Sequence, residues 1–222
     1  MTTKKSKSSA AQRRRAAQPA RRNPAPLLIG GVALILVAAG VIAIALSSSS
    51  AEEVSQPAAS PVAVTGTVLP AFTATQDDPA IGMTLPAMTS IGLDGQPMTI
   101  SPDDGAQAIV ILAHWCPHCQ AELPRLVEWL SAHPPPAGVA VVGLTTAIDP
   151  ARPNYPPTAW LAREGWTAPT LIDDAVYTAY RALGGLAFPG FVFVDADGTV
   201  HARVTGEIEP EEFGQWLEEI AP

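Results

Sequence analysis

Cys116 and Cys119 are the only cysteines among 222 residues, and they stand two residues apart in Trp115-Cys116-Pro117-His118-Cys119. Two thiols at this spacing, where a helix begins, form the smallest reversible disulfide a protein can build and can carry two electrons. The same spacing is also half of a zinc site, or a structural pair, so the motif alone leaves the chemistry open. Its flanks narrow the choice. Ala108 to Leu112 is an apolar run of strand length, and Leu123, Leu126, Val127 and Leu130 recur at helical spacing beyond the pair. The thiols therefore sit at a strand-to-helix junction, where the unpaired N–H groups and dipole of the first helical turn favour a thiolate.

The elements that must hold this junction follow from patterning. Upstream, Leu85 to Ala87 and Pro97 to Ile100 flank Gly92-Leu93-Asp94-Gly95, which reads as a hairpin turn. The strand ending at Ala113 leads into a helix from about Cys116 to Ala132. Pro124 falls inside that helix, but the apolar period resumes after it, so a kink is expected rather than a stop. Gly138 to Leu144 reads as a second buried strand, parallel to the first through the helical crossover. A loop rich in proline (Pro150, Pro153, Pro156, Pro157) precedes a short helix around Thr158 to Glu164. Thr170-Leu171-Ile172 and a helix from about Asp174 to Leu183 come next. Phe191 to Val194 and Val200 to Val204 bracket Asp195-Ala196-Asp197-Gly198, a hairpin signal, and Glu209 to Ile220 closes the chain as an amphipathic helix.

Charge is divided along the chain in a way the formal net of -8 conceals. Lys4, Lys5, Lys7, Arg13, Arg14, Arg15, Arg21 and Arg22 lie near the start, whereas every acidic residue follows Ala51, leaving 5 arginines and no lysine against 21 carboxylates there. A domain so acidic lacks the basic surface that nucleic acid requires. Leu27 to Leu46 is an uncharged, mostly apolar run. As a helix it spans about 30 Å, the thickness of a bilayer core. Basic residues before the span and none directly after it place the N-terminus in the cytoplasm. A cleaved signal peptide competes, since Ser49-Ser50-Ala51 offers small residues, but the run is longer than the usual signal core, so a retained anchor is expected. The expected domains are a basic cytoplasmic segment (1–26), a transmembrane anchor (27–46), a disordered Ser/Pro/Ala-rich linker (47–80) and a folded domain (81–222).

The element order, β-α-β, inserted helices, then β-β-α, resembles the thioredoxin topology. Over roughly Ile81 to Ala221 the chain resembles the membrane-tethered, extracytoplasmic thioredoxin-like proteins of the TlpA family. The resemblance rests on Trp115-Cys116-x-x-Cys119, Glu122-x-Pro124, Phe188-Pro189 and Gly206. It implies an α/β domain with a central mixed sheet flanked by helices and an N-terminal β-hairpin. It also implies a thiol:disulfide oxidoreductase with no cofactor beyond its own Cys116–Cys119 disulfide. The implied partners are protein thiols or disulfides of extracytoplasmic clients and a membrane redox protein, with the chain itself a monomer.

Within that frame Cys116 is the attacking nucleophile, and Cys119, one turn further in, resolves the mixed disulfide. Pro117 fits a first helical turn because its missing N–H has no partner there. His118 is expected to donate to, or lend positive charge near, the Cys116 thiolate, unless it is simply an exposed residue at a helix start. Glu122 matches a glutamate that in TlpA-like proteins lies near the buried thiol and carries its proton. Cytoplasmic thioredoxins bury an aspartate beneath the pair, but Val110 stands there in this chain. Pro189 occupies the position where the fold holds a cis proline facing the disulfide, an expectation owed to the resemblance and not to propensity. Phe188 then presents its backbone to a bound substrate, and Trp115 flanks the thiol. Proteins of the DsbA type carry the same Cys-Pro-His-Cys and make disulfides, whereas the rest of the domain looks like a reductant of cytochrome c maturation, so the two resemblances give opposite directions.

Two other classes compete. A copper-binding or copper-delivery protein could use Cys116, Cys119 and a histidine among His114, His118 and His133, but copper proteins of this fold separate their cysteines by three residues and add a distant histidine; in this chain only His201 lies late. A thiol peroxidase calls for threonine three residues before its reactive cysteine, where this chain has Ala113.

Overall fold

The computed structural model describes Pro57 and residues 60–222. The basic segment and the apolar run at 27–46 lie outside these described residues. Among the described residues no helix is long and apolar enough to cross a membrane.

Eight strands form one mixed sheet: β1 (Ala63–Thr65), β2 (Ala87–Gly92), β3 (Pro97–Ile100), β4 (Ala106–Leu112), β5 (Val139–Thr145), β6 (Thr170–Ile172), β7 (Gly190–Val194) and β8 (Val200–Thr205). Among the described residues four α-helices accompany it: α1 (Pro117–Ala132), α2 (Pro157–Arg163), α3 (Thr178–Ala182) and α4 (Pro210–Glu219). The spatial order is β1-β2-β6-β5-β4-β7-β8, with β3 paired to β2. β4, β5 and β6 run parallel, and the remaining pairings are antiparallel.

β4 lies inside the sheet with all seven residues buried, which is why its sequence is an unbroken apolar run instead of an alternating one. Its residues still divide by the period of two. Ala106, Ala108, Val110 and Leu112 pack with Leu123, Leu126, Phe213 and Leu217 of α1 and α4, while Ile109 and Ile111 pack with Leu69, Met88, Ala179 and Leu183. Burying several large aliphatic side chains on each face, at about 1.5–3 kcal/mol apiece, fixes the register of the strand whose end carries the thiols. The expected hairpin between β2 and β3 is present, and α1 continues through Pro124 as its period implied.

Two expectations need correction. The folded unit does not begin at Ile81. β1 pairs with β2, Val62, Leu69 and Ala80 are buried, and Asp78 forms a fully buried ion pair with Arg203. A linker is the wrong reading because Val62 and Leu69 are single anchors without period, and because the acid that neutralises Arg203 lies 125 residues away in sequence. The helix expected from Asp174 is also shorter and starts at Thr178. Asp174 accepts hydrogen bonds from the N–H groups of Val176 and Thr178, and Asp173 accepts from those of Ala179 and Tyr180. The two side chains occupy the first turn's donors and hold the preceding residues in a capping loop.

Candidate active site

β4 and α1 together aim the thiols. Cys116 is the N-cap of α1, in extended conformation, and Pro117 occupies the first turn. One helical turn on, Cys119 is fully buried, whereas Cys116 retains 7% exposure, so an incoming sulfur meets Cys116 first. Both are free thiols. Burial pushes the Cys119 thiol far up; the Ala113 N–H, 3.5 Å from its sulfur, opposes this, and the nearby Cys116 and Glu122 charges add to it. Left alone, Cys119 is a poor nucleophile at neutral pH.

Glu122 answers that difficulty. It lies at i+3 from Cys119 on the same face of α1 and its side chain is wholly buried. Burial raises its carboxyl from the ordinary 4.5 to about 7, against the pull of the Ile208 N–H and the Arg125 guanidinium and with help from the Glu207 and Glu209 charges. The Ile208 N–H donates to one carboxylate oxygen at 3.4 Å, and Arg125 reaches the other at 3.3 Å. Arg125 also binds Glu209 at 2.8 Å. Val110, buried in the same core cluster as both cysteines, supplies no acid, and the charge of the buried Glu122 is felt at Cys119.

The Phe188–Pro189 peptide bond is cis. The Cys116 Sγ lies 3.7 Å from the Phe188 carbonyl oxygen, and the Gly206 N–H donates to the Pro189 carbonyl at 2.9 Å. Trp115 meets Phe188 edge to face with ring centres 6.1 Å apart. The Trp115 indole N–H donates to the Ala147 carbonyl at 2.7 Å, and the Arg152 guanidinium lies 4.3 Å above its ring. Trp115, Phe188, Pro189, Cys116, Cys119 and Glu122 therefore converge.

Of the two expected places for His118, the structure shows the exposed one at the helix start. Its ring is exposed, and Nδ1 bonds the Glu207 carboxylate at 2.6 Å, whereas the hydrogen bond of Cys116 Sγ goes to the Phe188 carbonyl. The ring stays at the helix start, with Nδ1 committed to Glu207.

Sequence reading missed the second rank of the site. His114 is buried. Its Nε2 accepts from the Asp149 N–H at 3.1 Å, so Nδ1 carries the proton and donates to the Pro153 carbonyl at 2.6 Å. Burial pushes its pKa down, opposed by the Pro153 bond and the Asp149 charge. The neutral ring pins the 146–156 loop that holds Trp115. The i+3 spacing of Glu122 and Arg125 was a readable signal; the carboxylates at 207 and 209, far along the chain, were not. The histidines of the copper reading do not gather around the thiols: His114 is committed to the loop, His118 to Glu207, and His133 stacks on Trp129 at the far end of α1. Among the described residues no cluster of three or more His, Cys, Asp or Glu is arranged to hold a metal ion.

A mixed sheet with two adjacent thiols at a helix N-terminus, a cis proline across from them and a buried acid behind them defines a thioredoxin-fold thiol:disulfide oxidoreductase. More particularly, the chain belongs to the Redoxin family, whose profile matches residues 80–216. It is 28% identical over 146 residues to the thiol-disulfide oxidoreductase ResA of Geobacillus thermodenitrificans, covering 64% of this chain and 79% of that one. Among solved structures it is similar to a secreted disulfide oxidoreductase of Mycobacterium tuberculosis homologous to E. coli DsbE, with TM-score 0.50 and 24% identity over 59% of this chain and 94% of that one. A DsbF homologue from Corynebacterium diphtheriae matches with TM-score 0.52 and 16% identity, over 69% of this chain and 99% of that one. At these identities the structural likeness establishes the fold.

Proposed function

We propose that this protein is a membrane-anchored, extracytoplasmic reductant of protein disulfides, working through Cys116 and Cys119 without a further cofactor. The Cys116 thiolate attacks one sulfur of a client disulfide, forming a mixed disulfide and releasing the first client sulfur as a thiolate. Glu122 then takes the proton of Cys119, and the new thiolate attacks Cys116 Sγ. That step expels the second client sulfur and leaves a Cys116–Cys119 disulfide. Two electrons have moved to the client, and a membrane dithiol partner restores them by the reverse exchange. Phe188 and Pro189 offer backbone to the client chain beside Cys116, and Trp115 covers the flank.

The observation that carries this reading is the fully buried Glu122, raised to about 7, on the same helical face as a thiol whose own ionisation burial suppresses. A base half ionised at neutral pH is matched to that transfer. A second thiol held protonated contributes no thiolate stabilisation to the dithiol form. The ResA relative is named a thiol-disulfide oxidoreductase, in keeping with exchange on protein thiols. The basic segment followed by the apolar run supports attachment with the domain outside the cytoplasm.

Trapping tests the assignment. Cys119→Ser should accumulate mixed disulfides with client proteins, because attack proceeds and release cannot, whereas Cys116→Ser should trap few. Equal trapping by the two variants would contradict the division of labour between the two thiols.

A further inference from the structure

Residues 206–209, between β8 and α4, touch the redox site at four points. The Gly206 N–H holds the Pro189 carbonyl at 2.9 Å, Glu207 holds the His118 ring at 2.6 Å, the Ile208 N–H reaches Glu122 at 3.4 Å, and Glu209 holds Arg125 at 2.8 Å. Three of these contacts act on Pro189, Glu122 and Arg125, behind or beside the thiols. The fourth acts on the one residue whose identity points toward an oxidant. A cation beside a thiolate stabilises the dithiol form and makes the pair more oxidising. Glu207 sets a carboxylate against the ring that carries such a charge when protonated; its second oxygen also lies 3.7 Å from Arg125, which fixes the side chain from the other side.

We propose that Glu207 is a positioning residue that tunes the redox poise of the Cys116–Cys119 pair: by holding the His118 ring and setting a carboxylate beside it, it makes the Cys-Pro-His-Cys motif less oxidising than it would be without that carboxylate. The inference rests on the reading of Cys116 and Cys119 as the exchanging pair and adds a residue that adjusts the potential of that pair. His118 is 68% exposed and Glu207 36%, so solvent screens the pair and its effect is modest. Exposed ion pairs of this kind change an equilibrium by about two- to fivefold. A fivefold change is about 20 mV for a two-electron couple.

The test is a double-mutant cycle. Full-length protein in non-ionic detergent is equilibrated at pH 7 with 2-mercaptoethanol and its disulfide, an uncharged couple, and the reduced fraction is counted by thiol alkylation. Glu207→Gln removes the charge but keeps a hydrogen-bond acceptor, and Glu207→Ala removes both. Each should shift the equilibrium constant two- to fivefold toward the dithiol, with alanine at least as large as glutamine. In a His118→Ala background both shifts should vanish. An unchanged constant in the single variants, or the same shift without His118, would overturn the inference. Two variants keep the test alive if one fails to fold by near-ultraviolet circular dichroism. A native protein that never reaches reversible equilibrium with the couple would instead defeat the assignment of the pair itself, and this inference with it.

Discussion

Replacing Glu122 with glutamine should stabilise the fold and slow the enzyme, two effects of opposite sign from one buried carboxyl. The Glu122 carboxyl is raised from 4.5 to about 7 in the folded protein. Between those values the folded state holds a proton that the unfolded chain has released, so stability falls as pH rises and the full cost is present above pH 7. At about 1.4 kcal/mol per pH unit the cost is at most about 3.5 kcal/mol, an upper figure once the unfolded chain is compact. Glutamine has the shape of the neutral acid and carries no such charge. Urea unfolding of the reduced protein should show Glu122→Gln more stable than native by about 2–3 kcal/mol at pH 8, and nearly equal at pH 5. Histidine titrations are common to both proteins and cancel in the comparison. The same variant should release trapped client about a hundredfold more slowly at pH 7, the lower range of what a positioned base contributes. Equal stability at both pH values, or destabilisation by the same amount at both, would refute the reasoning that burial holds Glu122 near neutrality.

Asp78→Ala should cost about 3–5 kcal/mol, read as a fall in the urea midpoint, because it leaves Arg203 charged and unpaired in the core. The same result would place the start of the folded unit before residue 78, since a dispensable linker cannot hold a core ion pair. Protease added to cells stripped of their wall should digest the domain and spare a short N-terminal stub; recovery of a soluble, secreted protein starting near Ala51 would remove the anchor and leave the redox chemistry untouched.

How far the sequence could be read depended on the range of the interaction. β4 was legible because a strand buried on both faces is continuously apolar, β5 because its apolar run has strand length although only its last three residues are buried, and the β7–β8 hairpin because Asp-Gly marks its turn. Cys116, Cys119 and Glu122 were legible together because they share one helix, where spacing dictates a face. Residues 60–80 were not, since a three-residue strand and two isolated aliphatic anchors leave no period. The start of α3 is hidden because Asp173 and Asp174 cap through side chains, which hydrophobic spacing does not report. His118 eludes the sequence for a third reason. Its partner, Glu207, lies 89 residues away and becomes a neighbour only when β8 brings the 206–209 segment across the end of α1.

The most direct test of the central claim is the reduction potential of the full-length protein, equilibrated with glutathione at pH 7. The account predicts a potential below about -200 mV, in the range of proteins that donate electrons to disulfides. A value near about -120 mV, that of a strong disulfide-forming oxidant, would contradict it and return the Cys-Pro-His-Cys motif to the role its sequence suggests.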